Sequence, residues 1–449
     1  MSQPQTNSKL SATEITLEPS SGTSEKAAKT QSTLTETVWD AIIVGGGMVG
    51  ATVALGLGQQ GMRVLLLEKQ AVSLAWEKDG PYQVRVSALT RASERILRNL
   101  DAWQGIEARR FHPFTAMRVW DEVAPGEVHF SAEEMGEPNL GYTVENSVIQ
   151  AALWTQVEAC EQVEVVLNAE IESLDFANNQ AWLTLKEIGQ LQTELLVGAD
   201  GAMSQVRQLA HIGLDSHDYE QCAVVGCVKT ELSSEDTCWQ RYTKNGPFAF
   251  LSMGGNVSSI AWYLPLEKKA WALGLSDADF AAEISKASDY RLGSVIEVGE
   301  RGAFPLTRRH AEHYVKPNLA LVGDAAHTIH PQAGQGVNLG LLDAAALVET
   351  VLNAKAEGKA WGARRVLRRY ERWRRGDNAI IQRSMEGFDW LFRQDASLKT
   401  QLRKGFLPVA NRLTPIKNWL MGQALNGREA LPELAKQAVW KPANDKTKR

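Results

Sequence analysis

Three clusters of glycine and acid in this 449-residue chain have the spacing of ligand-binding turns. The first is Gly45-Gly46-Gly47-Met48-Val49-Gly50, the pattern G-x-G-x-x-G, with Glu68 downstream. In such a pattern the first glycine, Gly45, permits a sharp turn. The second, Gly47, lets a pyrophosphate reach the backbone, and the third, Gly50, brings a helix close to a sheet. A carboxylate at the position of Glu68 can accept hydrogen bonds from a ribose diol. The second cluster is Gly198-Ala199-Asp200-Gly201, followed by Ser204 and Arg207. Read alone, it is equally a simple Asp-Gly turn. The third is Gly323-Asp324, followed by Gly334-Gln335-Gly336. It puts an acid at the carboxyl end of a strand, where ligands of open α/β sheets sit, and an acid there can hold a polyol chain. The later glycine turn offers backbone amides at a helix N-terminus, which favour negative charge. The chemistry in prospect is the holding of a dinucleotide.

Strands and helices must carry these turns. Residues 41–44 form a short apolar run suited to a buried parallel strand, and residues 63–67 form the next strand, ending at Glu68. Residues 195–197 and 319–322 are two further apolar strands, each ending at its own turn. A helix is expected from about 337 to 352, and others over 91–100 and 145–160. Residues 112–130 and 221–265 alternate like strands. From 352 to the end the chain reads mostly as helix. Residues 41–58 carry no charge, but they are barely long enough to span a bilayer and are rich in glycine. The order strand, turn, helix, strand, acid favours the nucleotide reading.

The chain is long enough for two or three domains. Hydrophobic content of 44% and charged content of 22% are ordinary for a globular protein, and a net charge of −5 gives no pull toward nucleic acid. Cys160, Cys222, Cys227 and Cys238 match no zinc or redox spacing, which points to a reducing cytoplasm. Residues 1–36 have too few large apolar side chains to fold and are expected to be a disordered tail. They lack the apolar core of a secretory signal and the arginines of a transit peptide.

Taken in order, the three motifs resemble those of the FAD-dependent aromatic hydroxylases, the para-hydroxybenzoate hydroxylase type of flavoprotein monooxygenase, over roughly residues 38–350. The resemblance implies that Gly45, Gly47, Gly50 and Glu68 hold the ADP half of FAD. It also implies that Asp200, Gly201 and Arg207 form a motif associated with FAD and NAD(P)H, and that Gly323 and Asp324 hold the ribityl chain. VRVSAL (84–89), GYTVENSVIQAALW (141–154), FPLTRRHA (304–311) and GDAAHTIHPQAGQGVNLG (323–340) further resemble the ubiquinone-biosynthesis hydroxylases of the UbiH, UbiF and VisC group. By that likeness Arg85 and Asn146 approach the cofactor. Pro331, Gly334, Gly336, Val337 and Asn338 line the flavin's reacting face.

The implied fold is α/β. A Rossmann-like FAD-binding domain (37–111, 136–219 and 301–355) is interleaved with a smaller substrate-binding β-sheet domain (112–135 and 220–300). C-terminal helices fill 356–449. The implied reaction hydroxylates a polyprenylated phenol or benzoquinol at C5 or C6. NAD(P)H or another donor reduces FAD, O2 adds to form a flavin hydroperoxide, and its terminal oxygen attacks the ring. The protein orients the ring and excludes water, so no catalytic side chain is named. A bilayer-borne substrate implies peripheral contact with the inner membrane face and with other ubiquinone-biosynthesis proteins.

Three other readings remain open. The chain could be a soluble hydroxylase of a small phenol, a flavin halogenase or a non-catalytic FAD-binding scaffold. The halogenase motif W-x-W-x-I-P is absent. His310 with His313, and His327 with His330, are spaced three apart, but no acid or thiol cluster joins them to make a metal site. His327 is expected to support its turn through hydrogen bonds. The arginine-rich stretch 355–375 is either a solvated helix face or a contact with anionic headgroups or a partner protein.

Overall fold

The computed structural model describes residues 31–77, 79–123, 127–328, 335–392 and 431–436. The strands of the three motifs lie side by side. Leu319–Leu321 pairs with Leu196–Gly198, which pairs with Ala41–Val44, which pairs with Val64–Glu68, all in parallel. Val163–Leu167 closes this sheet in parallel on one edge, and Val315–Lys316 closes it antiparallel on the other. Because the four motif strands run the same way and in register, Gly45, Glu68, Ala199 and Val322 all emerge at one carboxyl edge. That edge is the ligand side of an open parallel sheet.

The strands are buried on both faces. Continuous apolar runs such as AIIV and VLLLE are what such strands require. Helix Met48–Gly58 covers one face and packs on helix Gln335–Ala356. A Cβ added at Gly56 would stand 2.8 Å from Val348 Cγ2, so the small residue sets how near the two helices come. One helix among the described residues, Gly336–Ala356, is long and apolar enough to cross a membrane. Here 78% of its apolar window is buried inside the fold.

The second large sheet has eight strands. In spatial order they are His327–Thr328, Val295–Ala311, Leu214–Thr230, Val257–Pro265, Gly246–Ser252, Thr237–Thr243, Ala116–Asp121 and Glu127–Ser131. All its pairings are antiparallel except that of Thr237–Thr243 with Ala116–Asp121. The short strand His327–Thr328 follows the Gly323–Ala325 turn directly. The chain thus steps from the parallel sheet through the Gly323–Ala325 turn onto the edge of the antiparallel sheet. Two smaller sheets complete the fold, one of four strands and one of three.

Some boundaries differ from those expected. Residues 31–36 are helical, not part of a disordered tail. Leu34 is buried there and its carbonyl accepts from Trp39 Nε1 at 3.2 Å. One well-placed leucine is enough to anchor a turn that average composition hides. Residues 1–30 lie outside the described residues. The strands Leu214–Thr230 and Val295–Ala311, paired along their length, cross the expected boundaries at 219/220 and 300/301. His112–Phe114 pairs with Gly141–Glu145 in the three-stranded sheet instead of joining the larger one. Of the C-terminal region, helix Arg364–Phe392 and a 3-10 turn at Glu433–Ala435 are described.

Candidate active site

The glycine turn is built as its spacing demands. Gly45 has φ +102, in the left-handed region, and a Cβ there would stand 2.5 Å from Ala199 O. A Cβ on Gly50 would stand 1.8 Å from Gly45 O, so only glycine lets the helix begin so close to the strand. Gly47 differs. It is the N-cap of Met48–Gly58 with φ −64, makes no side-chain cap bond, and a Cβ on it would meet nothing within 4 Å. The first amides of that helix therefore face open space beside a backbone with no side chain, the cradle a pyrophosphate needs.

Glu68 Oε2 accepts from the Gly46 amide at 2.5 Å, which fixes the carboxylate at the strand end next to the turn. Trp154, from helix Asn146–Ala159, donates its indole N–H to Gly46 O at 2.6 Å and holds the turn from the other side. Nothing in the motif spacing signals this tryptophan. Its only trace is an aromatic residue on the inner face of an amphipathic helix.

The polar atoms of Asp200 and Arg207 are used within the protein. Asp200 accepts from Ser204 Oγ at 2.5 Å and from the Val206 amide at 3.0 Å, and Gly201 next to it has φ +78. Arg207 is buried and donates to Ala325 O at 2.9 Å and to Ala202 O at 3.0 Å. Burial lowers its pKa, and Asp200 works in the opposite direction. The second motif is thus tied to the third, since Ala325 directly follows Asp324.

Gly323 has φ +56, and a Cβ there would press on Val49 of the glycine-turn helix at 3.2 Å. Gly323 and Ala325 are buried, whereas the Asp324 side chain is open to solvent. Asp324 nevertheless sits in a recess deep enough that desolvation raises its carboxyl pKa. His327, Arg85 and Arg309 pull it back down. Arg85 also lies over the Phe304 ring, 5.1 Å from its centroid. An acid that can accept from hydroxyls, near enough to Arg85 and Arg309 for them to lower its pKa and with its side chain open to solvent, suits a polyol flanked by negative charge.

The remaining expected residues divide. Asn146 Oδ1 accepts from Ser87 Oγ at 2.7 Å, and its amide donates to Arg85 O at 3.0 Å, so it braces the Arg85 segment. Asn338 is buried. It accepts from the Thr90 amide at 2.9 Å and from Ser93 Oγ at 2.7 Å, and it donates to Ala88 O at 2.8 Å. Its amide is committed to joining the long helix to strand Val86–Leu89. Val337 is half-buried against the main core, and Gly336 has open space where a Cβ would be. Pro331, Gly334 and His330 lie outside the described residues. His310 Nε2 is 3.4 Å from Tyr314 Oη, and His327 faces Asp343. Among the described residues no group of three or more His, Cys, Asp or Glu is placed to hold a metal.

One open helix N-terminus at Gly47 and two acids on one sheet edge fit an extended dinucleotide, with Glu68 near one end and Asp324 near the other. The FAD binding domain family matches residues 38–383. The protein is an FAD-dependent monooxygenase, an α/β flavoprotein. Within that class, the chain belongs to the ubiquinone-biosynthesis family of FAD hydroxylases. It is 41% identical to 3-demethoxyubiquinol 3-hydroxylase of Escherichia coli (strain K12) over 85% of this chain and 97% of that one. It is 34% identical to ubiquinone hydroxylase UbiL of Rhodospirillum rubrum over 88% and 91% of the two chains. With the human mitochondrial ubiquinone biosynthesis monooxygenase COQ6 it shares 31% identity over 87% and 93%. Among solved structures, p-nitrophenol 4-monooxygenase PnpA of Pseudomonas putida DLL-E4 has the same fold. The TM-score is 0.70 at 17% identity, covering 88% of this chain and 99% of that one.

Proposed function

We propose that this enzyme hydroxylates the ring of a polyprenylated benzoquinol in ubiquinone biosynthesis, at the position modified by 3-demethoxyubiquinol 3-hydroxylase. The observation that carries the choice is the 41% identity to that enzyme, which extends over 97% of its length. Bound FAD supplies the activation of O2, with NAD(P)H as the electron donor. One oxygen atom enters the ring C–H bond and the other leaves as water.

The chain's own residues bind and orient. Gly45–Gly50 and Glu68 hold the ADP half, and Asp324 holds the ribityl chain. Arg85 and Arg309 supply positive charge beside Asp324. Phe304, which is 40% exposed on the antiparallel sheet beneath Arg85, offers an apolar surface to the ring or its tail. The exposed arginines of helix Arg364–Phe392 support peripheral attachment at the cytoplasmic face of the membrane, where a prenylated substrate resides.

The test is a quinone profile of cells lacking the protein. Accumulation of demethoxyubiquinone, reversed by re-expression, is expected. A normal profile, or accumulation of a precursor lacking a different ring oxygen, overturns the assignment.

A further inference from the structure

Asp343 is a solitary acid in the apolar stretch LGLLDAAALV of helix Gln335–Ala356, and it is fully buried. Its Oδ2 accepts from His327 Nε2 at 2.5 Å and from the Gly323 amide at 3.3 Å. Its Oδ1 accepts from Arg374 Nε at 2.7 Å and from Asn378 Nδ2 at 3.2 Å. Arg374, itself buried, also donates to Asn378 Oδ1 and to Asp377 Oδ2, each at 3.1 Å. Asn378 Nδ2 lies 2.8 Å from His327 Nε2, and the Tyr314 ring stacks on that histidine with centroids 5.7 Å apart. One carboxylate thus joins the Gly323–Ala325 turn and the strand after it, the long helix, and the C-terminal helix.

A buried ion pair is a poor way to gain stability, because removing both charges from water costs about as much as their attraction returns. Apolar residues at both 343 and 374 would pack without that cost. What they could not do is accept from the Gly323 amide, which sets the left-handed turn carrying Asp324. We propose that Asp343 and Arg374 are positioning residues for the cofactor. Through the Gly323 amide they fix where Asp324 stands, and they make the C-terminal helix part of the flavin site. The inference rests on the FAD site described above.

The test separates positioning from general stability. Asp343→Ala removes both the charge and the acceptor. Combined with Asn378→Asp, it returns a carboxylate facing Arg374 and His327, while the Gly323 amide stays without Asp343. FAD dissociation constants, thermal midpoints and the visible circular dichroism of the bound flavin are measured on the full chain. D343A is expected to lower both the midpoint and FAD affinity. D343A/N378D is expected to recover most of the midpoint, yet to bind FAD at least tenfold more weakly than wild type, with an altered flavin spectrum. Wild-type affinity in the double variant overturns the proposal, as does affinity that simply follows the midpoint across both. If D343A does not fold, Asp343→Asn takes its place: both carboxylate oxygens only accept, so the asparagine oxygen goes to the Arg374 guanidinium and its NH2 turns to the Gly323 amide, which loses its acceptor. It is expected to weaken FAD binding at least tenfold, and an FAD constant within about threefold of wild type overturns the proposal. Failure of the wild-type chain itself to bind FAD would strike at the cofactor assignment instead.

Discussion

Gly47 and Gly50 sit three residues apart in one motif and do different work. Gly50 answers to the protein, because a Cβ there would stand 1.8 Å from Gly45 O. Gly47 has no such reason within the protein, because a Cβ there meets nothing within 4 Å and its φ of −64 suits any residue, and its role is proposed to be toward the ligand. Alanine should separate them. Gly47→Ala should leave stability within about 0.5 kcal/mol of wild type, as expected where no native contact changes. It should still weaken FAD binding, since its methyl group enters the space the pyrophosphate needs. Gly50→Ala should cost about 1–3 kcal/mol or more from overpacking and lose flavin as well. Denaturant melts and flavin titration of the two variants check this. Equal effects on both quantities in G47A would mean that Gly47 is structural. The sequence pattern shows all three glycines but not this division of labour, which depends on what surrounds each Cβ.

At the scale of elements, the motif strands and the helices after the glycine turns are legible in the sequence, because buried parallel strands demand unbroken apolar runs bounded by glycine. The partners that stabilise the turns are not. Trp154 reaches Gly46 from another helix, and Asn338 spends its amide on the segment 88–93. Contacts of this kind have no fixed spacing. Asp343 did leave a sign, since a lone acid in an apolar helix must find a partner. The partner, Arg374, is hidden among arginines that look alike. The fold sorts them. Val366, Leu367, Tyr370, Arg374 and Asn378 turn inward, while Arg364, Arg365, Arg368, Arg369 and Arg372 are exposed. The exposed set is the surface proposed to meet anionic lipid. Replacing Arg364, Arg365 and Arg368 with glutamine should reduce sedimentation with vesicles containing anionic phospholipid, at about 1 kcal/mol per charge, while flavin content stays unchanged. Undiminished sedimentation would remove this face from any membrane role.

For the molecule as a whole, the same carboxylate ties stability to acid. Burial raises the pKa of Asp343, but His327 and Arg374 outweigh it and hold the group at about 2. A depressed carboxylate contributes stability above its unfolded value of about 3.9, and that contribution is lost as pH falls toward the folded value. Between about pH 5 and pH 1 the wild type should therefore lose about 2 to 3 kcal/mol that D343N, which cannot titrate there, does not lose. Denaturant melts of both proteins across this range read the difference, and parallel curves would show that Asp343 is not the linked group. The architecture that makes this group central was only partly legible. Strand order in the parallel sheet brings residues 42, 196 and 319 side by side, and no local pattern dictates such long-range pairing.

The reach of that knot bears on how the enzyme is made. A ribosome that has translated through Ala356 has produced the first two glycine–acid motifs and Gly323-Asp324, together with Asp343, but neither Arg374 nor Asn378. At that moment the carboxylate at the heart of the site has no cation from the C-terminal helix to meet it. Folding during synthesis can proceed through the parallel sheet, but on the proposed role of Asp343 the Gly323–Ala325 turn is fixed only when helix Arg364–Phe392 has emerged. On the proposed role of Asp343 and Arg374, FAD is expected to be held only after helix Arg364–Phe392 has joined the fold. A chain cut short after residue 356 would keep all three glycine–acid motifs but lack Arg374 and Asn378, and weakened flavin binding is the outcome expected of it.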